Sequence, residues 1–367
     1  MIRATIEEIK MDFNKNTLTR TERAVYSLRE LYEAYGYKPY KMSKFEEYDL
    51  YVRNKSFLVS DHVITFTDTD GKLMALKPDV TLSIVKNSRE EQGVRRVFYN
   101  ENVYRVPKGA FSFKEIMQSG IECIGNIDAY CVLEVLRLAK ESLATISEDF
   151  VLDISHMGII SSLLDAMSLS REGREQMLLC IGEKNLHGID SVCLSEGVDG
   201  AETERLKRLI ASPLSANEMI SILSGSNCES DAASLASVFE LLSGCDGKVR
   251  IDFSVTGDMR YYNGIVCKGF LKGVPTSVLS GGQYDNLMKK MGKKEGAIGF
   301  AVYLDLIDEL EDDGEKYDAD VAVVYGDNTP ISVIDKAVSE IRAGGETVSA
   351  VKSVSEKRKY KRIVTLD

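Results

Sequence analysis

The sequence has few of the residues on which disulfide-stabilised domains and metal sites depend. Its 367 residues include no tryptophan, six prolines, three histidines and seven cysteines. The cysteines are odd in number and scattered, with no Cys-x-x-Cys pair, so we expect reduced thiols and no structural zinc site. No Gly-x-Ser-x-Gly or His-Glu-x-x-His motif is present, which disfavours triad and metalloprotease chemistry.

Long apolar runs and an excess of basic residues are also absent. No run approaches the roughly 20 apolar residues that a membrane helix requires. The first residues are too polar for a signal peptide, so we expect a cytoplasmic protein. The net charge is −11, from 46 basic and 57 acidic residues. This balance argues against a surface that binds nucleic acid or anionic lipid as a whole, although it permits a local basic patch.

What is present is the composition of an ordinary globular protein, with 44% hydrophobic and 28% charged residues. The length allows two or three domains with a substantial core. Strand-like runs dominate residues 37–125, helical patterning takes over at about 155–247, and strands return from residue 248. An acidic segment at 308–315 then precedes a final strand, helix and two short strands.

The order of these blocks predicts the fold class. It does not follow the βαβα alternation of a doubly wound nucleotide-binding fold. We therefore predict an α+β core over residues 1–312, an antiparallel sheet flanked by helices, with a helical insertion at about 155–247. A small α/β domain follows at 313–367. Local patterns further predict a helix at 19–35 that begins with a capping box of Thr19 and Glu22, and a second helix at 79–86. They also predict strands at 37–42, 57–59, 62–67 and 73–76, with a hairpin turn at Asp70-Gly71, and a strand running into a helix over 297–308.

Two β-like runs within residues 95–125 predict a long hairpin. Because successive strand residues face opposite sides, Gln118, Gly120 and Glu122 share one side. These residue types can form a pocket floor: the amide fixes a polar ligand atom, the glycine leaves room, and the carboxylate holds an ammonium or an imidazole N–H. The alternative is a solvent-facing strand with incidental polar residues.

Other segments carry further candidates. Tyr261 and Tyr262 are predicted to lie on opposite faces of a strand, so that one enters the pocket while the other packs. Asp79 follows Pro78 in the first turn of a predicted helix, where its carboxylate either offsets the helix dipole or lines the pocket. The basic run at 357–362 is interpreted as a charged edge strand rather than an RNA-binding segment.

Together, and in this order, five segments resemble motifs of the catalytic module of histidyl-tRNA synthetases, which have a class II aminoacyl-tRNA synthetase fold. The segments are ALKPDVT for the family's L-R-P-E-G-T, NVYRVPKGAFSFKEIMQSGIECIG for its motif 2, DMRYYNGIV for R-G-L-D-Y-Y-T-R-T-V, SGGQYDNL for G-G-R-Y-D-G-L, and AIGFAVYLDLIDEL for G-F-A-x-G-x-E-R-L. The resemblance covers about residues 18–312 and implies a class II aminoacyl-tRNA synthetase-like sheet.

The chain departs from that pattern where the synthetases bind ATP. The family arginine four residues before the tyrosine pair falls on Gly257. The motif 3 arginine, which holds ATP phosphates in the synthetases, falls on Leu306. The motif 1 proline falls on Ser43, and the arginine of G-G-R-Y-D on Gln283. Because amino-acid activation stabilises a charged transition state at a polyphosphate, these losses imply that synthetase activity is lost.

The amino-acid side of the family pocket is retained. The resemblance assigns histidine binding to Asp79, Thr81, Arg105, Gln118, Glu122, Tyr261 and Tyr262. With Gly264 in place of a synthetase arginine and a short C-terminal segment, the chain is also similar to the regulatory-subunit family of ATP phosphoribosyltransferase. That resemblance implies a non-catalytic partner of the short-form catalytic subunit in the first step of histidine biosynthesis, with L-histidine as feedback effector. It implies a homodimer within a hetero-oligomer, and no cofactor, metal, tRNA or membrane partner.

Two alternatives stay open at this point. A divergent histidyl-tRNA synthetase would need another basic residue, and Arg260 and Lys268 are the nearest in sequence. A free-standing histidine sensor or tRNA-binding module would rely on the basic run at 357–362 and would bind tRNA in a salt-sensitive way. Within the regulatory interpretation, histidine binds either in the former synthetase pocket or at the subunit interface.

Overall fold

The capping box predicted at Thr19 begins the first helix. The Glu22 carboxylate accepts the backbone N–H of Thr19 at 2.8 Å, and the Thr19 hydroxyl accepts the N–H of Glu22 at 3.2 Å. The helix buries one face through Ala24, Leu28 and Tyr32. It ends just before Gly36, whose φ of 80° suits a glycine. The predicted helix at 19–35 is confirmed.

The computed structural model describes residues 18–55, 58, 62–88, 93–106, 111–198, 200–244, 247–257, 261–310 and 317–366. The helices are α1 (Arg20–Ala34), α2 (Tyr48–Arg53), α3 (Thr81–Asn87), α4 (Ala129–Ile146), α5 (Met157–Ala166), α6 (Arg171–Gly182), α7 (Leu186–Glu196), α8 (Ala201–Ile210), α9 (Ala216–Leu223), α10 (Glu229–Ser243), α11 (Asp285–Lys290) and α12 (Ile331–Ala343). The strands are β1 (Lys38–Pro39), β2 (Phe45–Glu47), β3 (Thr65–Thr67), β4 (Leu73–Leu76), β5 (Val94–Arg105), β6 (Lys114–Gly125), β7 (Phe150–His156), β8 (Val249–Ile251), β9 (Ile265–Leu271), β10 (Leu279–Gln283), β11 (Gly296–Tyr303), β12 (Ala319–Tyr325), β13 (Val348–Val351) and β14 (Tyr360–Leu366).

The chain divides into two compact units, Met1–Leu310 and Glu311–Asp367. In the first unit, eight of the described strands form a sheet in the order β1-β5-β6-β11-β10-β9-β7-β8, and the other three form a small sheet in the order β2-β4-β3. Neighbours from β5 to β7 are antiparallel, and the edge strands β1 and β8 pair in parallel with β5 and β7. The predicted α+β class with a largely antiparallel sheet is confirmed.

The two faces of this sheet have different coverings. On one face Phe98 and Ile121 belong to a large apolar core with α1, α4 and the helices α5 to α10. On the other face Val97, Tyr99 and Ile124 pack into a smaller core with α3 and α11. The helical patterning predicted for about 155–247 is confirmed, and its buried residues extend the main core. The second face, which the helical segment leaves uncovered, carries the candidate site.

Two predicted strands are shorter than expected, and a third lies outside the described residues. The strand predicted at 37–42 is only Lys38–Pro39, because Pro39 has no N–H to continue the ladder. The strand predicted at 62–67 is confined to β3, which pairs with β4 across the predicted Asp70-Gly71 turn. Of the strand predicted at 57–59, only Leu58 is described.

Two helix predictions also need correction. The helix expected at 79–86 begins at Thr81, because the Asp79 carboxylate accepts the N–H of Leu82 from outside the helix. The helix expected at the end of 297–308 is a 3₁₀ helix, Leu304–Glu309. It is held against α1, where the Thr21 hydroxyl donates to Asp308 at 2.6 Å.

The second unit has the predicted order of strand, helix and two strands. Its three described strands form a parallel sheet in the order β13-β12-β14. The basic run at 357–362 enters β14, an edge strand, as predicted. Lys361 pairs there with Asp320 at 2.6 Å and Arg362 with Glu346 at 2.5 Å. Across the described part of the whole chain, no helix is long and apolar enough to cross a membrane.

Candidate functional site

A cavity of about 420 Å³ opens on the second face of the main sheet. Its floor is formed by β6, β11, β10 and β9, and α3 and the segment before β9 close its sides. The structure brings all seven predicted site residues to this one cavity: Asp79, Thr81, Arg105, Gln118, Glu122, Tyr261 and Tyr262.

The predicted alternation along β6 places its polar side chains in the cavity. Gln118 and Glu122 line it and are nearly inaccessible to solvent, so the alternative of a solvent-facing strand is wrong. Gly120 lies between them under the ring of Tyr99, where a Cβ would come within 2.5 Å of the phenolic oxygen. The lack of a side chain at this position therefore leaves room for the Tyr99 ring.

Glu122 is the most strongly constrained polar group of the site. The Thr81 hydroxyl donates to its Oε1 at 2.7 Å, and the Tyr284 hydroxyl donates to its Oε2 at 2.5 Å. Burial raises the pKa of Glu122 to about 8, although both hydrogen bonds oppose this rise. This pKa favours a proton on the carboxyl group near neutral pH, and a basic ligand group can take it up.

Asp79 combines the two roles that its sequence position allowed. Its Oδ1 accepts the N–H of Leu82 at 2.8 Å, which anchors the start of α3. The same side chain lines the cavity, and burial raises its pKa, whereas the charge of Arg105 acts in the opposite direction. A second acidic group thus stands beside Glu122, and together they favour a cationic or proton-accepting ligand.

The prediction that Tyr261 and Tyr262 lie on opposite faces of a strand is wrong. Both precede β9 and both line the cavity, with ring centroids 4.6 Å apart. A turn replaces the strand here because the side chains of Asn263 and Asp285 bind each other, and the N–H of Asn263 donates to the carbonyl of Gln283. Burial raises the pKa of both phenols well above the usual value, so they stay neutral.

The cation Arg105 lines the cavity together with these groups, from the end of β5. Arg105 is 7% exposed, and its guanidinium lies 6.0 Å from the ring centroid of Tyr303. Within the described residues it makes no hydrogen bond to protein, so its donors are available to a ligand. The Tyr303 hydroxyl and the Ser280 hydroxyl are hydrogen-bonded at 2.7 Å. Carboxyl groups and a guanidinium that line the same cavity match the opposite charges of an amino acid.

Comparisons with known proteins agree with this architecture. The family model for histidyl-tRNA synthetase matches residues 11–307. An ATP phosphoribosyltransferase regulatory subunit from Clostridium kluyveri is 30% identical over 316 residues, which is 81% of each chain. The chain belongs to the family of ATP phosphoribosyltransferase regulatory subunits, which are histidyl-tRNA synthetase-like proteins.

Two solved structures share the fold. An ATP phosphoribosyltransferase regulatory subunit/histidyl-tRNA synthetase from Bacillus halodurans C matches with a TM-score of 0.73 and 22% identity, covering 98% of this chain and 99% of that one. The HisG:HisZ complex of ATP phosphoribosyl transferase from Thermotoga maritima contains a chain that matches with a TM-score of 0.62 and 20% identity, covering 80% and 98%. The class II synthetase-like fold predicted from the motifs is thereby confirmed.

In this regulatory-subunit chain, neighbouring side chains fill the places where the synthetase motif has arginine. A Cβ on Gly257 would lie 2.5 Å from Cδ2 of Tyr262. A Cβ on Gly264 would lie 2.1 Å from Oε1 of Gln283, which accepts the N–H of Ile265 at 2.9 Å. These departures are therefore coupled packing changes rather than simple deletions of charge.

The helical segment holds one wall of the cavity. Val255, Thr256 and Gly257 form this wall just after β8. Lys184, which follows α6, donates to the buried Asp252 carboxylate at 2.6 Å, and the N–H of Gly257 donates to Sδ of Met157 at 3.4 Å. The segment at 155–247, in which the sequence shows no catalytic or binding motif, thus stabilises this wall of the cavity.

Tyr284 and Tyr303 also line the cavity, although the sequence motifs did not assign them to the site. Tyr284 belongs to the recognised motif SGGQYDNL, but nothing in that motif indicates that its hydroxyl binds Glu122. Tyr303 stands at the second glycine of G-F-A-x-G-x-E-R-L, and that mismatch was the available signal. Arg260, the basic residue considered for a divergent synthetase, lies outside the described residues, whereas Lys268 lines the cavity.

Gly299 offers a direct test of how tightly the site is built. It pairs with Glu122 across β11 and β6, and a Cβ there would lie 1.9 Å from Oε2 of Glu122 and 2.4 Å from a backbone carbonyl oxygen. We expect Gly299→Ala to lower the free energy of unfolding by about 3 kcal/mol or more, as measured by urea denaturation. The control is Gly182→Ala in α6, where the nearest atom is a hydroxyl 3.3 Å away and the change should stay within about 1 kcal/mol. Equal effects of both variants would contradict a tight fit at Gly299.

Proposed function

We propose that this regulatory-subunit chain binds L-histidine in the cavity and acts with a short-form catalytic subunit of ATP phosphoribosyltransferase. In this role it is required for the first step of histidine biosynthesis and for its feedback regulation. The observation that carries the proposal is the buried Glu122 carboxyl group, held by the hydroxyls of Thr81 and Tyr284. Burial raises its pKa to about 8, which favours a proton on this group near neutral pH. An imidazole can accept that proton and remain paired with the carboxylate.

The remaining cavity groups support an amino-acid ligand of this kind. Asp79 and Gln118 can receive the α-ammonium group, and Arg105 can bind the α-carboxylate through paired N–H donors. Tyr261 and Tyr262 provide aromatic surface beside the imidazole. No cofactor is needed for binding of this type.

We further propose that synthetase activity is lost. Leu306, at the position of the motif 3 arginine, packs against the apolar core instead of presenting a charge. Gly257 supplies no cation at the second position, and the ring of Tyr262 takes up the adjacent space. A site without these arginines has less charge with which to stabilise a polyphosphate during amino-acid activation.

Assembly and domain organisation follow the family expectation in this proposal. The chain forms a homodimer within a hetero-oligomer, which light scattering can test, and a monomeric mass would contradict it. Phe45 and Phe66 provide apolar surface suited to such a contact, with rings 5.5 Å apart and 44% and 37% exposed. The segment 313–367 forms the small α/β domain of the chain in this proposal.

The test is the rate of phosphoribosyl-ATP formation by a matching short-form catalytic subunit, with and without this chain. We expect strong stimulation by the chain and suppression of the stimulated rate by added L-histidine. Coupling between an effector and a partner site is typically about 1–3 kcal/mol, which corresponds to roughly 5–150-fold. Absence of stimulation, together with histidine-dependent ATP–pyrophosphate exchange by the chain alone, would contradict the proposal and favour a divergent synthetase.

A further inference from the structure

We propose that Tyr303 determines ligand specificity: it restricts the cavity to a free amino acid by filling the space beside the ligand's carboxylate. This inference rests on the proposed function, because it concerns the same cavity and assumes that an amino acid binds there. It adds a residue that the sequence motifs did not assign to the site, and it specifies what the site rejects.

The charges of the cavity fix the direction in which an amino acid binds. Asp79 and Glu122 are acidic groups buried in the cavity, and both have raised pKa values. Arg105 supplies a cation, and its guanidinium makes no hydrogen bond within the described part of the chain. The ammonium and a basic side chain therefore point toward the acids, and the carboxylate points toward Arg105. Any group esterified to that carboxylate must extend past Arg105.

Tyr303 lies next to the Arg105 guanidinium on the wall of the cavity. Its ring centroid lies 6.0 Å from the guanidinium carbon, and the residue pairs with Gln118 across β11 and β6. Its hydroxyl is bound to the Ser280 hydroxyl at 2.7 Å, which ties the ring to the neighbouring strand β10. The ring is therefore fixed at both ends, by the strand backbone and by the hydroxyl. An extended ligand would have to displace it.

The neighbouring floor residues are small, so Tyr303 is the bulky side chain at this point. Gly299 and Ala301 precede it on the same face of β11, and Ser280 pairs with Ala301 on β10. Without the Tyr303 ring, the floor beside Arg105 would be an open surface of small side chains. The synthetase pattern G-F-A-x-G-x-E-R-L has glycine at this position. The tyrosine therefore closes the cavity at the carboxylate end.

Isothermal titration of the full chain with two probes tests this role. The probes are L-histidine and a non-hydrolysable histidyl-adenylate analogue with a sulfamoyl linkage in place of the phosphate. For the unmodified chain we expect the analogue to bind at least about 100-fold more weakly than histidine. For Tyr303→Gly we expect analogue affinity to rise by at least about 10-fold, while histidine affinity falls as Arg105 loses its stacking partner.

Tyr303→Phe is the matched control, because it keeps the ring and removes only the bond to Ser280. It should retain the preference for histidine within about threefold. The proposal is overturned if the unmodified chain binds the analogue as tightly as histidine, or if folded Tyr303→Gly keeps the original preference. Should Tyr303→Gly fail to fold, Tyr303→Ala takes its place, with the same expected gain in analogue affinity. Failure of histidine to bind the unmodified chain would instead contradict the proposed function itself.

Discussion

Glu122→Ala is expected to raise the histidine concentration needed for half inhibition of the transferase complex by about 100-fold. The substitution removes the carboxylate that accepts the ligand's imidazole proton and leaves the hydroxyls of Thr81 and Tyr284 without their acceptor. Hydrogen bonds to charged groups contribute about 1.5–3 kcal/mol, which corresponds to roughly 10–150-fold in affinity. The measurement is the rate of phosphoribosyl-ATP formation by the reconstituted complex across a series of histidine concentrations.

The control for this prediction is Glu240→Ala, which removes a carboxylate from an exposed position in α10. It should leave the inhibition curve within about twofold of the unmodified complex. If folded Glu122→Ala retains the original curve, histidine acts elsewhere, and a site at the subunit interface becomes the better explanation. Direct titration of the isolated chain with histidine then shows whether the cavity binds the effector at all.

The elements that could be predicted from sequence are those fixed by nearby residues. The capping box of Thr19 and Glu22 defines the start of α1, and Asp70-Gly71 defines a hairpin turn. The tyrosine pair shows the limit of this reasoning. Its strand-like pattern is overridden by Asn263, which binds Asp285 more than 20 residues later in the chain. Periodicity contains no information about such a partner.

The site was predictable to the extent that its residues belong to recognisable motifs. Alternation placed Gln118 and Glu122 on one face, and the structure places both in the cavity. Contacts between motifs were not predictable in the same way. Tyr284 reaches Glu122 across 162 positions of sequence, and Tyr303 reaches Ser280 across a strand pair whose register the sequence does not reveal.

The pH dependence of folding is the second large effect that we expect, and it also centres on Glu122. Burial raises its pKa in the folded chain to about 8, from an ordinary value of 4.5. We expect the free energy of unfolding of the ligand-free chain to fall, relative to Glu122→Gln, as the pH rises from 5 to 8. Each unit of pKa difference between the folded and unfolded chain corresponds to about 1.36 kcal/mol. The change in the free energy of unfolding across this pH range is therefore at most on the order of 5 kcal/mol. Urea denaturation of both proteins between pH 5 and pH 9 measures it.

The direction of this effect follows from which state binds the proton more tightly. Below about pH 4.5 the carboxyl group is protonated in both folded and unfolded chains, so its full contribution to stability is present. Between 4.5 and 8 the unfolded chain loses the proton while the folded chain keeps it, and that contribution is progressively lost. Above 8 both states are ionised and the difference becomes constant. Asp79 also has a raised pKa, but it is present in both proteins, so the comparison isolates Glu122. A difference that stays flat from pH 5 to 9 would mean that Glu122 is ionised in the folded chain, and the cavity would then hold no proton for an imidazole to take.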